Sequence, residues 1–314
     1  MAVANNRKVA LITGAAGHIG VRLAEYLSAI DAFTLRLAVR QHQTTPLSDF
    51  GDVISGDLRD KDFCRVAAEG CNVIIHLASV PTQIDDSSTA VATHESMITN
   101  LLNVATATGV SRFVHMSSIH VYGNNLHGRI DESTPCDPVT PYGKAHLRTE
   151  QLVQSFEGAG MTRLSLRCGN GFGSTRSLSQ TPWSLVTADL CHQAVRGQTL
   201  RLNTHGQHRR DFVTVTDIVR AIHHFSINSG ATDVALLGSG KSLTLHQFAL
   251  LVAARANLMF GHHYSVVCND RDVSTPIEYQ LDVRKLHDYG FQPINDFDTE
   301  IDELLTAATA RNGR

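Results

Sequence analysis

The chain has 314 residues, 42% of them hydrophobic and 18% charged, with a formal net charge of −3. That length can bury a large core, either as one big α/β domain or as a large domain with a smaller appendage. With no basic excess and no Lys/Arg run, a nucleic-acid footprint is excluded. The start through Lys8 carries no apolar leader, and no run approaches the roughly 18 apolar residues of a membrane span, so a cytoplasmic protein with no membrane partner is expected.

Apolar runs of strand length alternate with helical patterns along the first half: 9–13, then 18–29; 34–39; 53–55, then 61–69; 72–76; 88–108; 112–116; 142–156; and 162–168. Strands alternating with longer helices mean βαβ units and a parallel sheet covered on both faces. The predicted class is α/β, a Rossmann-type doubly wound parallel sheet with a smaller C-terminal substrate-binding region. Residues 1–169 are assigned to a dinucleotide-binding domain. After the Gly/Ser/Thr-rich stretch from Gly169 to Thr175 the rhythm breaks, and 170–314 is read mainly as substrate-binding, with some segments able to return to the first domain.

The first strand runs into Gly14-Ala15-Ala16-Gly17-His18-Ile19-Gly20, which opens a helical pattern. Glycines there allow a tight turn and close backbone approach to a pyrophosphate, while the helix N-terminus supplies favourable partial charge. At the end of the second strand stands Arg40, where an acidic residue would accept the ribose 2′-hydroxyl of NAD. A cation there, with Arg36 and His42 nearby, suits the 2′-phosphate of NADP; the alternative is that Arg40 stacks on adenine or points to solvent. Asp57, in Gly56-Asp57-Leu58, is a candidate acceptor for the adenine amino group or a helix cap.

Six cysteines (Cys64, Cys71, Cys136, Cys168, Cys191 and Cys268) are scattered without a Cys-x-x-Cys pair, which favours reduced thiols over a disulfide framework. The 17 histidines include His223-His224 and His262-His263, but no His-x-x-x-His helix pair comes with an acidic partner, so no metal is expected.

Tyr142 lies in Pro141-Tyr142-Gly143-Lys144-Ala145-His146. If this segment is helical, positions i and i+4 share a face, so His146, not Lys144, lies beside the phenol.

Taken together, Thr13 to Gly20, Gly56-Asp57-Leu58, His76-Leu77-Ala78-Ser79, Ser117 to Gly123, Pro141-Tyr142-Gly143, Asn170 to Gly173 and Arg210 to Val215 resemble the extended short-chain dehydrogenase/reductase superfamily, in its NAD(P)-dependent nucleotide-sugar epimerase/dehydratase branch. The resemblance implies that Gly14, Gly17, His18, Ile19, Gly20, Arg40, Asp57, Leu58, Leu77, Ala78, Tyr142 and His146 bind the dinucleotide. It implies Ser118 and Tyr142 as catalytic hydroxyls, with Ser79, Ser118, Asn170, Arg210 and Arg271 toward the substrate and Arg209 as a helper. His146 replaces the family's lysine, and is expected to donate to the ribose and, when protonated, to favour the phenolate. His94 replaces an asparagine at the start of the central helix.

Family dehydratases resemble Thr-Asp-Glu where this chain reads Ser118-Ile119-His120, which disfavours a 4,6-dehydratase. The implied function is a C4 epimerase of a nucleotide sugar, using NAD(P) with a leaning to NADP, as a homodimer. The alternatives are a sugar or keto-sugar oxidoreductase and a dinucleotide-binding sensor with little turnover.

Overall fold

The computed structural model describes residues 7–40, 47–79, 86–158, 160–175, 181–228 and 230–313, and His42 lies outside them. In chain order the first elements are β1 (Val9–Thr13), α1 (His18–Ala29), β2 (Thr34–Val39), β3 (Asp52–Ser55), α2 (Lys61–Ala68), β4 (Val73–His76), α3 (Ser87–Ala107), β5 (Arg112–Ser118), β6 (Gly128–Ile130), α4 (Pro141–Ser155) and β7 (Thr162–Cys168). They are followed by β8 (Asn170–Phe172), α5 (Val186–Arg196), β9 (Thr199–Arg201), β10 (Arg209–Thr214), α6 (Val215–Ile227), β11 (Asp233–Leu237), β12 (Ser242–Thr244), α7 (Leu245–Phe260), β13 (Ser265–Val267), β14 (Tyr279–Leu281), α8 (Arg284–Asp288) and α9 (Phe297–Asn312).

The apolar runs of the first half form one seven-stranded sheet of order β11-β7-β5-β4-β1-β2-β3. Strands β1 to β5 pair in parallel, and Ala10, Leu11 and Ile12 of β1 are wholly buried, as strands covered on both faces require. The strand order reverses between β1 and β4. In open α/β sheets, ligands bind in the crevice beyond the carboxyl ends of the strands at such a point.

The chain divides into two compact units. Unit 1 comprises Met1–Asn125, Pro135–Arg167 and Val219–Ala235; its core gathers Leu11, Ile74, Ile98, Leu101, Phe113 and Val153. Unit 2 comprises Leu126–Thr134, Cys168–Ile218 and Leu236–Arg314. It holds a three-stranded sheet of order β12-β10-β8, and its core centres on Phe172, Phe212 and Phe248, whose rings meet at 4.4 to 6.3 Å between centroids. Pairing explains both crossings of the chain: β11 adds to the large sheet beside β7, and β6 pairs in parallel with β14.

Candidate active site

In unit 1 the glycine loop closes on the strand ends at the reversal point. Gly14 has φ of +69°, and a Cβ there would lie 2.7 Å from the Ala78 backbone nitrogen; one on Gly20 would lie 2.3 Å from the Gly14 carbonyl oxygen. Only glycine permits this approach of loop, helix and the Leu77-Ala78 turn. Gly17 caps α1 without a side-chain hydrogen bond, and the first turn, with His18 and Ile19, has no acidic residue. A helix start of this kind suits an anion, so the residues fit the pyrophosphate of a dinucleotide.

The structure corrects parts of the expected adenosine end. Arg36 donates to the carbonyls of Ala67 at 2.9 Å and Glu69 at 2.7 Å, so it caps the end of α2 instead of flanking Arg40. Asp57 is not the helix cap, a role taken by Asp60. Its carboxylate is gripped by Arg59, at 2.9 Å to Nε and 2.5 Å to a terminal nitrogen; these hydrogen bonds first, and Arg40 last, hold its pKa below the usual carboxylate range. Leu58 packs into the core and its carbonyl is taken by Asn100. Arg40 itself is exposed at the end of β2.

The two hydroxyls expected to be catalytic sit at the end of β5, Ser118, and in the first turn of α4, Tyr142. Thr140 caps that helix through the Gly143 N–H at 3.1 Å, with Pro141 at its first position. A Cβ on Gly143 would stand 2.6 Å from the His120 carbonyl, so glycine lets α4 lie against the turn that follows Ser118. Ser118 is buried and its Oγ accepts the His120 N–H at 3.3 Å. The Tyr142 ring lies 5.8 Å from His120 and 4.3 Å from His146. Further along the same helix face, Glu150 makes a buried ion pair with Arg167 of β7 at 2.6 Å, and Arg167 also donates to the Tyr122 hydroxyl at 2.8 Å. This pair ties α4 to the sheet.

Behind Tyr142 the structure assembles four buried histidines, of which the sequence singled out two. His76 bonds Thr13 at 2.7 Å and stacks on His115 at 5.8 Å; His115 stacks on His146 at 6.4 Å and bonds Ser165; His146 meets His94 at 5.4 Å. Burial first, then the neighbouring histidines, pushes His146 down to about 3, and burial alone takes His94 to about 4. The expected cationic role of His146 is therefore corrected: a ring with that pKa is neutral near pH 7 and cannot favour a phenolate by its charge. Ser79, expected to face substrate, has its hydroxyl between His94 and His146 at 3.4 and 3.3 Å.

Unit 2 brings Asn170 and Arg210 to neighbouring strands, β8 and β10, with Asn170 in register with Phe212. The Asn170 amide donates to the Asp211 carbonyl at 3.2 Å and to the Tyr279 hydroxyl at 2.7 Å. No motif in the sequence marks Tyr279, which is buried here. Arg210 is half-buried and donates to the Arg209 carbonyl at 2.8 Å, and Arg209 donates to the Ser242 carbonyl. Arg271 stands on an exposed loop where its backbone N–H bonds Asn269.

One His/Asp group among the described residues has ligand-like spacing: His205, His208 and Asp272. Its hydrogen bonds argue against a metal. Nδ1 of His205 accepts the Gln207 N–H at 3.0 Å and Nδ1 of His208 accepts the Ile277 N–H at 3.1 Å, which puts both ring hydrogens on Nε2, facing Ser274. A ligating histidine instead donates from its second nitrogen, leaving the first bare for the ion.

A doubly wound sheet, a glycine loop at the reversal point and a Ser/Tyr pair at adjoining turns define a dinucleotide-dependent enzyme of the short-chain dehydrogenase type. The chain belongs to the NAD dependent epimerase/dehydratase family, whose model matches residues 10–234. It is 28% identical over 306 residues to the dTDP-glucose 4,6-dehydratase of Streptomyces niveus, covering 90% of this chain and 87% of that one. It is also 28% identical over 249 residues to the dTDP-6-deoxy-L-talose 4-dehydrogenase (NAD(P)(+)) of Kitasatospora kifunensis, covering 77% of each. The crystal structure of UDP-glucose 4-epimerase from Thermotoga maritima with UDP-glucose superposes with a TM-score of 0.82 at 21% identity, covering 97% of this chain and 99% of that one, a likeness of fold. Among the described residues, no helix is long and apolar enough to cross a membrane.

Proposed function

We propose that the protein is a 4-epimerase of a nucleotide sugar, using a bound NAD(P) that it retains through the cycle. The observation that carries this reading over elimination is Ile119: it lies one residue after Ser118 in a slot where a dehydratase would need a proton-transferring carboxyl, and it is 2% exposed and apolar. When bound, the dinucleotide supplies a reversible hydride acceptor. Gly14, Gly17 and Gly20 hold its pyrophosphate, and Arg40 pairs with a 2′-phosphate, which favours NADP.

The chain's own groups handle the proton. In its phenolate form Tyr142 takes the proton of the sugar hydroxyl, becoming the phenol, and gives it back when hydride returns, while the Ser118 hydroxyl bonds the same sugar oxygen. Arg210 offers a charge-assisted fork to the diphosphate. Incubation of the purified protein with UDP-glucose, followed by proton NMR of the sugar, should show the 4-epimer without accumulation of reduced cofactor. Tyr142→Phe should lower this turnover by about 10²–10⁴-fold. Reduced cofactor appearing in step with substrate loss would establish instead a net sugar oxidoreductase, the reading that the exposed cation Arg40 favours.

A further inference from the structure

In unit 2 the segment 269–277 joins β13 to β14, and Arg271 and residues 273–277 on it are exposed, Val273 at 96%. Polar contacts to the turn before β10 hold it. The Asn269 N–H bonds the Thr204 carbonyl at 3.0 Å, the His205 N–H bonds the Asp272 carboxylate at 3.0 Å, and the Arg209 N–H bonds the Ile277 carbonyl at 2.7 Å. Two rings complete the attachment. His205 accepts the Gln207 N–H on Nδ1 at 3.0 Å and donates from Nε2 to the Ser274 carbonyl at 2.9 Å. His208 accepts the Ile277 N–H on Nδ1 at 3.1 Å and donates from Nε2 to the Ser274 hydroxyl at 3.2 Å. A backbone N–H only donates, so both rings must be neutral with the hydrogen on Nε2, and a second proton would have to go to Nδ1, against the N–H already there. The groups facing the pair are Asp272, whose carboxylate lies 3.9 Å from Nε2 of His205, and Arg210, while the two rings stand 4.6 Å apart. Burial first, then His205 and Arg210, hold His208 below the usual imidazole range, with Asp272 acting the other way.

We propose that His205 and His208 are positioning residues that, while neutral, latch the segment 269–277 and so set Arg271 for the nucleotide sugar. Protonation at Nδ1 of either ring expels the N–H held there and frees the segment. The neutral rings are the latched form, so the latch is complete above about pH 6.5 and is lost as pH falls through the lowered value of His208. The link to Arg271 rests on the proposed function, whereas the latch does not.

Long-range proton–nitrogen spectra of protein labelled at the histidine rings, without ligand at about pH 8, should show hydrogen on Nε2 of both His205 and His208. Hydrogen on Nδ1 of either ring overturns the latch. His208→Asn keeps an oxygen acceptor near the place of Nδ1 and His208→Leu removes it, so the Ile277 amide should exchange roughly 10-fold faster in the leucine variant than in the asparagine variant. Equal rates overturn the latch. From about pH 8 to about pH 5, the unmodified protein should lose protection at Ile277, corrected for the free-peptide rate, and should bind UDP-glucose roughly 10-fold more weakly by calorimetry. His205→Asn with His208→Asn keeps both acceptors and removes the titration, so both profiles should then be flat. A flat Ile277 profile in the unmodified protein, or an equal slope in the double variant, overturns the proposal. Arg271→Ala should flatten the UDP-glucose profile and leave that of Ile277 in place; a UDP-glucose profile that survives it overturns the link to Arg271. If UDP-glucose fails to bind at any pH while Ile277 responds as expected, the latch stands, and the functional reading and the link to Arg271 fall with it.

Discussion

Besides ion-paired groups such as Glu150 and Arg167, each unit buries ionisable side chains whose charge burial suppresses, and these are of opposite kinds. In unit 1 they are imidazoles: burial, helped by neighbouring histidines, takes His76 and His146 down to about 3 and holds His115 well below the usual range. In unit 2 the group is Asp211, wholly buried, with one carboxyl oxygen bonded by the Ser239 N–H and hydroxyl and the other without a partner; burial raises it to about 7 against those hydrogen bonds. Both units favour the uncharged form. A neutral imidazole is the high-pH form and a neutral carboxyl the low-pH form, so one desolvation rule gives the two units opposite pH dependences.

The largest expected effect is acid sensitivity from unit 1. An unfolded histidine takes its proton near pH 6.5, while the buried rings resist until about 3 to 4. Their contribution is therefore complete above about pH 6.5 and is lost as pH falls toward the folded values. Because the rings are coupled, the loss between about pH 7 and pH 4 should be on the order of 5 kcal/mol, less than the separate shifts would sum to. Urea denaturation across this range measures it, and a flat profile would mean that water reaches the rings in solution.

Next comes recognition by unit 2. Arg210→Ala should cost about 1.5–3 kcal/mol of nucleotide-sugar binding, a KM raised roughly 10- to 100-fold, with dinucleotide affinity unchanged. Isothermal calorimetry with both ligands checks this, and equal losses would make Arg210 a structural residue.

Asp211 should act on stability in the reverse sense to the histidines. Its folded pKa is raised, so its contribution is complete below about pH 3.8 and is lost as pH rises through about 7. Asp211→Asn should accordingly stabilise the protein by roughly 1–3 kcal/mol at pH 8 relative to pH 5. Trp183, the chain's one tryptophan and a residue of unit 2, reports the melting. A variant that is less stable at both pH values would erase the contrast between the units.

The smallest effect sharpens the picture within unit 1. His94→Asn and His146→Lys together should retain more turnover than the two single losses predict, with a coupling of about 1 kcal/mol, because both rings share the Ser79 hydroxyl. Additive single effects would show that the two positions act separately.

Much of the frame was legible in the chain alone. Alternating apolar and amphipathic runs determined the parallel sheet and its helices, since burial on both faces demands continuous apolar strands. Gly14, Gly17 and Gly20 after the first strand determined the loop, because the approach to Ala78 and the +69° backbone of Gly14 leave no room for a side chain. The i, i+4 spacing put His146 beside Tyr142 without any tertiary information. What the sequence could not decide was protonation and polarity. His76, His94, His115 and His146 come from β4, α3, β5 and α4, and only packing across those elements buries them together and strips them of charge. The same holds for Arg36, turned to the end of α2, for Tyr279 beneath Asn170, and for His205 and His208, whose tautomers are set by backbone N–H groups of other residues. Spacing along a chain specifies which side chains share a face, whereas pKa and tautomer depend on desolvation and on partners that only the folded chain brings within hydrogen-bond reach.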